Sequence, residues 1–240
     1  QAGSTEAADW MEFVMEENTK DPFHAIVCSR KPSEETRENV IDKADIDHGH
    51  ELWRRNQTAQ VPREASAIAA LVLPLTRISH DLIFVDPYFG VSTERFGAIS
   101  QIISDAQNDA YAVHRVEVHC VPRPNKGESR QDCIQRMKDN ISNHFHGQAK
   151  ACGIRNRKIV VKIWNDRSAN QQFHDRYVLT NRGGILFTVG LDEGQNADQV
   201  TQAVLLDEEA WQVQMRQFNE HQTDYRCPFR LASPPVVVRV

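Results

Sequence analysis

Three apolar runs, set apart by stretches whose apolar residues recur at helical spacing, constrain this chain most. LIFV (82–85) is continuous and fits a strand buried on both faces. AVHRVEVHCV and RKIVVKIW are the next two strand-like runs. Between the first two lie Phe96, Ile99, Ile102 and Ile103 at helical spacing, with Ser92 or Thr93 placed to cap that helix. Between the second and third, Cys133, Ile134, Met137, Ile141 and Phe145 mark a helix over 131–151, with Gly153 as its stop. RYVLT, GILFTVG and QAVLLD then follow without room for helices, before a last helix over 208–219 and a terminal VVVRV suited to a sheet edge. This order predicts an α/β fold, a mixed β-sheet flanked by helices.

The first 60 residues have another texture. Residues 1–20 suit an acidic helix with Trp10, Phe13 and Val14 on one face, and FHAIVC suits a short strand. Residues 29–57 are dense in charge and poor in large apolar groups, as expected of a surface excursion, partly helical after Ser33. Regularity begins at Pro62, read as the first turn of a buried helix that Pro74 kinks or ends. The expected division is therefore a charge-rich extension over 1–60 and an α/β domain over 61–240.

Hydrophobic residues make up 40% of the 240, enough for a packed core. A net charge of -5 argues against a basic coat for nucleic acid, although Lys and Arg concentrate between Arg115 and Arg182 and leave a local basic groove open. Five scattered cysteines without a CxxC pair suit free thiols in a reducing compartment, and no tight set of zinc ligands occurs. No apolar run approaches the ~20 residues of a membrane span, and the first residues lack a basic, apolar leader. The expectation is a cytoplasmic protein needing no metal or cofactor.

Chemistry concentrates in FHDRYVLTNRGGILFTVGLDEG, residues 173–194. Two strands, 176–180 and 185–189, can form a hairpin about an Asn-Arg-Gly-Gly turn. His174 and Arg176 are two apart, hence on one strand face, and the hairpin brings Gly190 and Asp192 back beside them. A histidine beside a guanidinium pairs a nucleophile or acid/base with a phosphate-binding cation.

These residues resemble the phospholipase D superfamily signature, His-x-Lys, then Asp, Gly and a strand ending Gly-Ser-x-Asn. Here His174-Asp175-Arg176, Asn181, Gly184 and Gly190-Leu191-Asp192 stand at those places. The closer likeness is to the phospholipase D-like C-terminal domain of MIT-domain-containing proteins. It covers residues 173–192 in motif and about 65–219 in topology only. The resemblance implies that His174 would attack phosphorus, with Arg176, Asn181 and Asp192 completing the catalytic set. It also implies a second motif, which this chain would obtain only from a homodimer. Asn181 lacks the charge of an Asp, and Asp192 is expected to pair with Arg176.

Further candidates for ligand binding are Asp86 and Tyr88, just past the LIFV strand, together with Asp175, Gly190 and Lys162. Asp86 also suits a plain turn cap. Arg155, Arg157, Lys158, Lys162 and Arg167 form the densest basic stretch, with Lys158 and Lys162 expected to alternate outward. The functional expectation is a non-catalytic or degenerate phospholipase D-like binding or scaffold domain. It would engage an anionic, phosphate-bearing ligand (nucleic acid or a phospholipid headgroup) or a protein partner, within a homodimer or larger assembly. The alternative is a metal-independent phosphodiesterase or nuclease acting as a homodimer through a phosphohistidine at His174.

Overall fold

The computed structural model describes the chain apart from residues 1–2, 21–22, 24, 32–34, 36, 47–56, 92–95, 107–112, 152–157, 166, 169–170, 197, 221–228 and 240. The proposed caps Ser92 and Thr93, the helix stop Gly153, and Arg155 and Arg157 lie outside the described residues. The chain divides into two compact units, Gln1–Asn56 and Gln57–Val240.

In the first unit, helix α1 (Gly3–Lys20) precedes two short parallel strands, β1 (Ile26–Cys28) and β2 (Val40–Asp42). Val40 and Ile41 are buried, so part of the charge-rich segment is structured around a small apolar pair. Asn18 Oδ1 accepts from the Phe23 N–H (2.8 Å) and from Asn39 Nδ2 (3.0 Å), which ties the helix end to the strands.

The second unit is built on an eight-stranded mixed sheet. Its strands are β3 (Thr58–Pro62), β4 (Asp81–Val85), β5 (Arg115–Cys120), β6 (Lys158–Ile163), β9 (Arg176–Thr180), β10 (Gly183–Phe187), β11 (Val200–Leu205) and β12 (Val236–Arg239). The two-residue strands β7 (Arg167–Ser168) and β8 (Gln171–Gln172) pair separately. The sheet order is β12-β6-β5-β4-β9-β10-β11-β3. β4, β5 and β6 run parallel; every other neighbouring pair is antiparallel.

Helices α2 (Ala65–Thr76), α3 (Gly97–Asp105) and α4 (Arg130–Ala151) cover one face, and α5 (Glu208–Phe218) packs on the other. The two faces carry separate cores. Phe84, Val118, Val161 and Val178 meet Ile68, Ile99, Ile103 and Met137 on one side. Ile83, Val85, Tyr177 and Leu179 meet Met215 and Phe218 on the other. β4 therefore alternates between two apolar cores, which is why LIFV is apolar without interruption. Each large side chain so buried contributes about 1.5–3 kcal/mol.

One local expectation is corrected, and of the two readings of Pro74 the one that ends the helix there is set aside. Pro62 does not open α2; it ends edge strand β3, where its missing N–H costs nothing on the free side. Pro74 lies inside the last turn of α2, and the helix runs two residues beyond it.

Candidate functional site at the carboxyl end of the parallel strands

β4 and β5 are parallel, so the loops that leave them, Asp86-Pro87-Tyr88 and Val121-Pro122-Arg123, emerge at the same end of the sheet. β9 runs antiparallel to β4 with Tyr177 opposite Val85, so its first residues start at that end too. β10 returns there with Phe187 opposite Arg176. The topology alone thus gathers Asp86, Tyr88, Arg123, His174, Arg176, Gly190 and Asp192 at one mouth, the usual ligand position of an open α/β sheet.

Arg176 faces Tyr88, its guanidinium carbon 5.1 Å from the ring centroid. Arg123 stands 5.2 Å from the same centroid. Each guanidinium also makes one long bond to a carbonyl, Arg176 Nη1 to Thr188 (3.4 Å) and Arg123 Nη2 to Phe173 (3.4 Å). Arg176 Nε is buried and has no hydrogen-bond partner. Among the described residues no carboxylate forms an ion pair with Arg176.

The expected Arg176–Asp192 salt bridge is not formed. Asp192 Oδ2 pairs with Arg63 Nη2 at 2.7 Å, and its carbonyl accepts from Arg63 Nε at 3.3 Å. Arg63 follows β3, so the edge strand of the sheet supplies the counter-ion. Gly190 separates the two groups: its φ is +141°, and a Cβ there would lie 2.5 Å from Asp192 Oδ1 and 3.7 Å from Arg176 Nε. Only glycine fits that conformation between the two side chains.

His174 does not accompany Arg176. It lines a shallow cleft with Asp175, Tyr177, Gln214, Gln217 and Phe218, on the face covered by α5. The period-two reading fails here because residues 173–175 precede the strand and do not alternate with it. His174 is exposed, with Nδ1 3.7 Å from Asp175 Oδ1. Tyr177 donates its hydroxyl to Asp175 Oδ2 at 3.0 Å, and burial together with the Asp175 charge pushes that phenol upward.

Asp86 is fully buried and its Oδ1 accepts from the Tyr88 N–H at 2.9 Å, so it shapes the turn that presents Tyr88. Asn181 sits at the opposite end of β9, in the hairpin turn. Its Oδ1 accepts from the N–H groups of His80 (2.8 Å) and Asp81 (3.2 Å), pinning the start of β4.

Lys162 is corrected outright. It does not alternate outward: it is 4% exposed, and its Nζ pairs with Glu117 at 2.9 Å and with Glu220 at 2.8 Å. Glu117 in turn holds Arg115 (2.9 Å) and His119 (3.2 Å). Trp164 Nε1 donates to His119 Nδ1 at 3.1 Å. An indole only donates, so His119 carries its proton on Nε2 and gives it to Glu117. Burial pushes His119 below its ordinary value. Burial also opposes the charge on Glu117, but the His119 hydrogen bond, Arg115 and Lys162 outweigh it and hold the carboxyl well below the usual range. These groups form a structural network beneath α5.

No family model matches the chain. No curated protein matches it significantly. Among solved structures it is similar to TrmBL2, an archaeal chromatin protein described as showing a novel mode of DNA binding, with 10% identity and a TM-score of 0.34 over 70% of this chain. The chain spans 52% of that protein.

Arg123 was not singled out by the sequence reading. Its signal is positional: it lies three residues beyond the end of a parallel strand, as Tyr88 does on the neighbouring strand. The Arg115–Glu117–His119 series does have a visible period of two. It resembles a solvent-facing strand edge because nothing local shows that α5 covers it.

Among the described residues no helix is long and apolar enough to cross a membrane, and no group of His, Cys, Asp and Glu is placed to hold a metal ion.

Proposed function

We propose that the second unit is a phospholipase D-like binding domain that engages a phosphate-bearing ligand through Arg176. The observation that carries this reading is the state of that guanidinium. It stacks on Tyr88, has a buried Nε without a partner, and has no carboxylate beside it among the described residues. A half-buried cation in that condition is costly to leave uncompensated, and a phosphate restores the balance. Asp192, the acidic residue that closes the motif, pairs with Arg63 instead.

A second reading, a phosphodiesterase acting through His174, rests on a different observation. The exposed imidazole has Asp175 against Nδ1, and Tyr177 steadies that carboxylate from below. Arg176 does not line the same cleft, so the transferred phosphoryl group would lack its cation there. Binding is therefore the favoured reading.

The test is a thermal unfolding series in inorganic phosphate at constant ionic strength. Wild type is expected to gain stability with phosphate and Arg176→Gln to gain none; equal gains in both would sink the proposal. Bis(p-nitrophenyl) phosphate in EDTA serves as the cleavage arm. Turnover that disappears in His174→Ala would establish the second reading in place of the first.

A further inference from the structure

We propose that helix α1 docks, through Trp10 and Phe13, into an apolar groove rimmed by lysine or arginine on a partner protein. This surface belongs to the first unit and is independent of the phosphate reading. Trp10 is the most exposed large apolar side chain among the described residues, at 65%, and Phe13 is 52% exposed. The two stand three residues apart on the helix with ring centroids 5.8 Å from each other, so they form one continuous patch rather than two scattered groups. The other side of the helix is already committed. Asn18, about 140° round from Phe13 at ~100° per residue, is buried and holds the Phe23 N–H and Asn39 Nδ2. On that side too, Met15 Sδ accepts from Arg37 Nη1 at 2.6 Å. Turning the helix to cover the aromatic pair would give up those contacts, so the pair is not buried by its own unit.

The kind of occupant follows from charge. The 18 residues of α1 include five acidic residues and one lysine. Lys20 binds Glu16 at 3.1 Å and Glu17 at 2.9 Å, and the helix stays negative overall. A nucleic acid or an anionic lipid surface is repelled by such a helix. A second copy using the same face would set two acidic helices against each other, because an isologous interface brings like patches together. A protein groove with an apolar floor and a basic rim meets both demands. Residues at i and i+3 of an amphipathic helix are the usual anchors of helix-in-groove recognition, and Trp is a frequent energetic centre of such interfaces. On this account Trp10 and Phe13 supply most of the affinity, and the carboxylates set the encounter rate and its salt dependence.

The experiment is titration of three labelled synthetic helical peptides with the full chain, read by fluorescence anisotropy. A leucine–lysine peptide carries an apolar stripe between basic flanks and stands in for the groove. A leucine–glutamate peptide keeps the stripe and reverses the charge, and a glutamine–lysine peptide keeps the charge without the stripe. Wild type is expected to bind the leucine–lysine peptide roughly tenfold or more tightly than either control, with an affinity that falls as salt rises. Trp10→Ala combined with Phe13→Ala should lose roughly tenfold or more of that affinity at an unchanged unfolding temperature, because both side chains are exposed. Glu12→Gln should weaken binding less and flatten the salt dependence. The inference falls if the double variant binds like wild type, if either control peptide binds as tightly as the leucine–lysine one, or if no peptide binds. A wild-type dimer in sedimentation that the double variant lacks would give this face to a second copy and overturn it as well.

Discussion

At the scale of single residues, the cations of this protein divide by what neutralises them. Lys162 is neutralised within the protein. Its ammonium touches Glu117, itself 2% exposed, and Glu220, which is 45% exposed. Removing one partner of a buried pair strands the other and costs about 3–5 kcal/mol. Arg115 and His119 still hold Glu117 after the loss of Lys162, and Glu220 returns to water, so the lower end applies. Lys162→Met is expected to lower unfolding stability by about 3 kcal/mol, measured by urea denaturation. A change within about 0.5 kcal/mol, the range of ordinary surface substitutions, would show that the lysine has no structural role. Arg176, by contrast, has no carboxylate paired with it among the described residues, and its substitution should register in ligand binding rather than in stability. The sequence showed both residues as basic positions on strands. Their opposite fates depend on α5, which covers one of them, and on Asp192, which Arg63 draws away from the other. Neither Arg63 nor α5 is near these residues in the chain, so no local pattern could reveal the difference.

At the scale of elements, α5 closes the face that holds the ion network and the His174 cleft. Its start is fixed by Asp207, whose side chain accepts from the Ala210 N–H at 2.8 Å, with Glu208 and Glu209 in the first turn favouring the helix dipole. Trp211 anchors the same turn to the sheet by donating to the Thr180 carbonyl at 3.0 Å. Asp207→Ala is expected to cost about 1 kcal/mol and Asp207→Asn only a few tenths, measured by thermal unfolding; equal losses would mean that the carboxylate charge, not the cap, carries the effect. α5 and the buried strands β4, β5 and β6 were legible in the sequence because length and periodicity agree there. β2 and β3 were not. Thr58-Ala-Gln-Val-Pro and Val40-Ile-Asp offer one or two apolar side chains each, and what makes them strands is a partner, β11 for one and β1 for the other. The mouth was legible in part. The hairpin predicted that Arg176 and Asp192 would be neighbours, but Tyr88 and Arg123 join them only through parallel pairing of strands more than thirty residues apart.

At the scale of the whole molecule, the ion network makes stability depend on pH in two steps. His119 faces Glu117, Trp164, Lys162, Arg115 and Phe218, and burial lowers it from its ordinary 6.5. Glu117 lies below its ordinary 4.5. Both folded-state values are lower than the unfolded ones, so between the two values the unfolded chain binds more protons. Stability therefore rises with pH through each window. Their contribution is complete above pH 6.5, begins to fade below that value as unfolded His119 takes up protons, and fades further below 4.5 as Glu117 follows. A glutamine at 119 can still donate to Glu117 and accept from Trp164, but cannot titrate. Urea unfolding of wild type and His119→Gln from pH 8 to 4 is the measurement. The wild-type curve should fall from pH 6.5 downward, the variant's should stay flatter until about 4.5, and the two should then decline together. Parallel curves across pH 5–6.5 would show that His119 is already protonated in the fold, in which case Trp164 could no longer donate to its Nδ1.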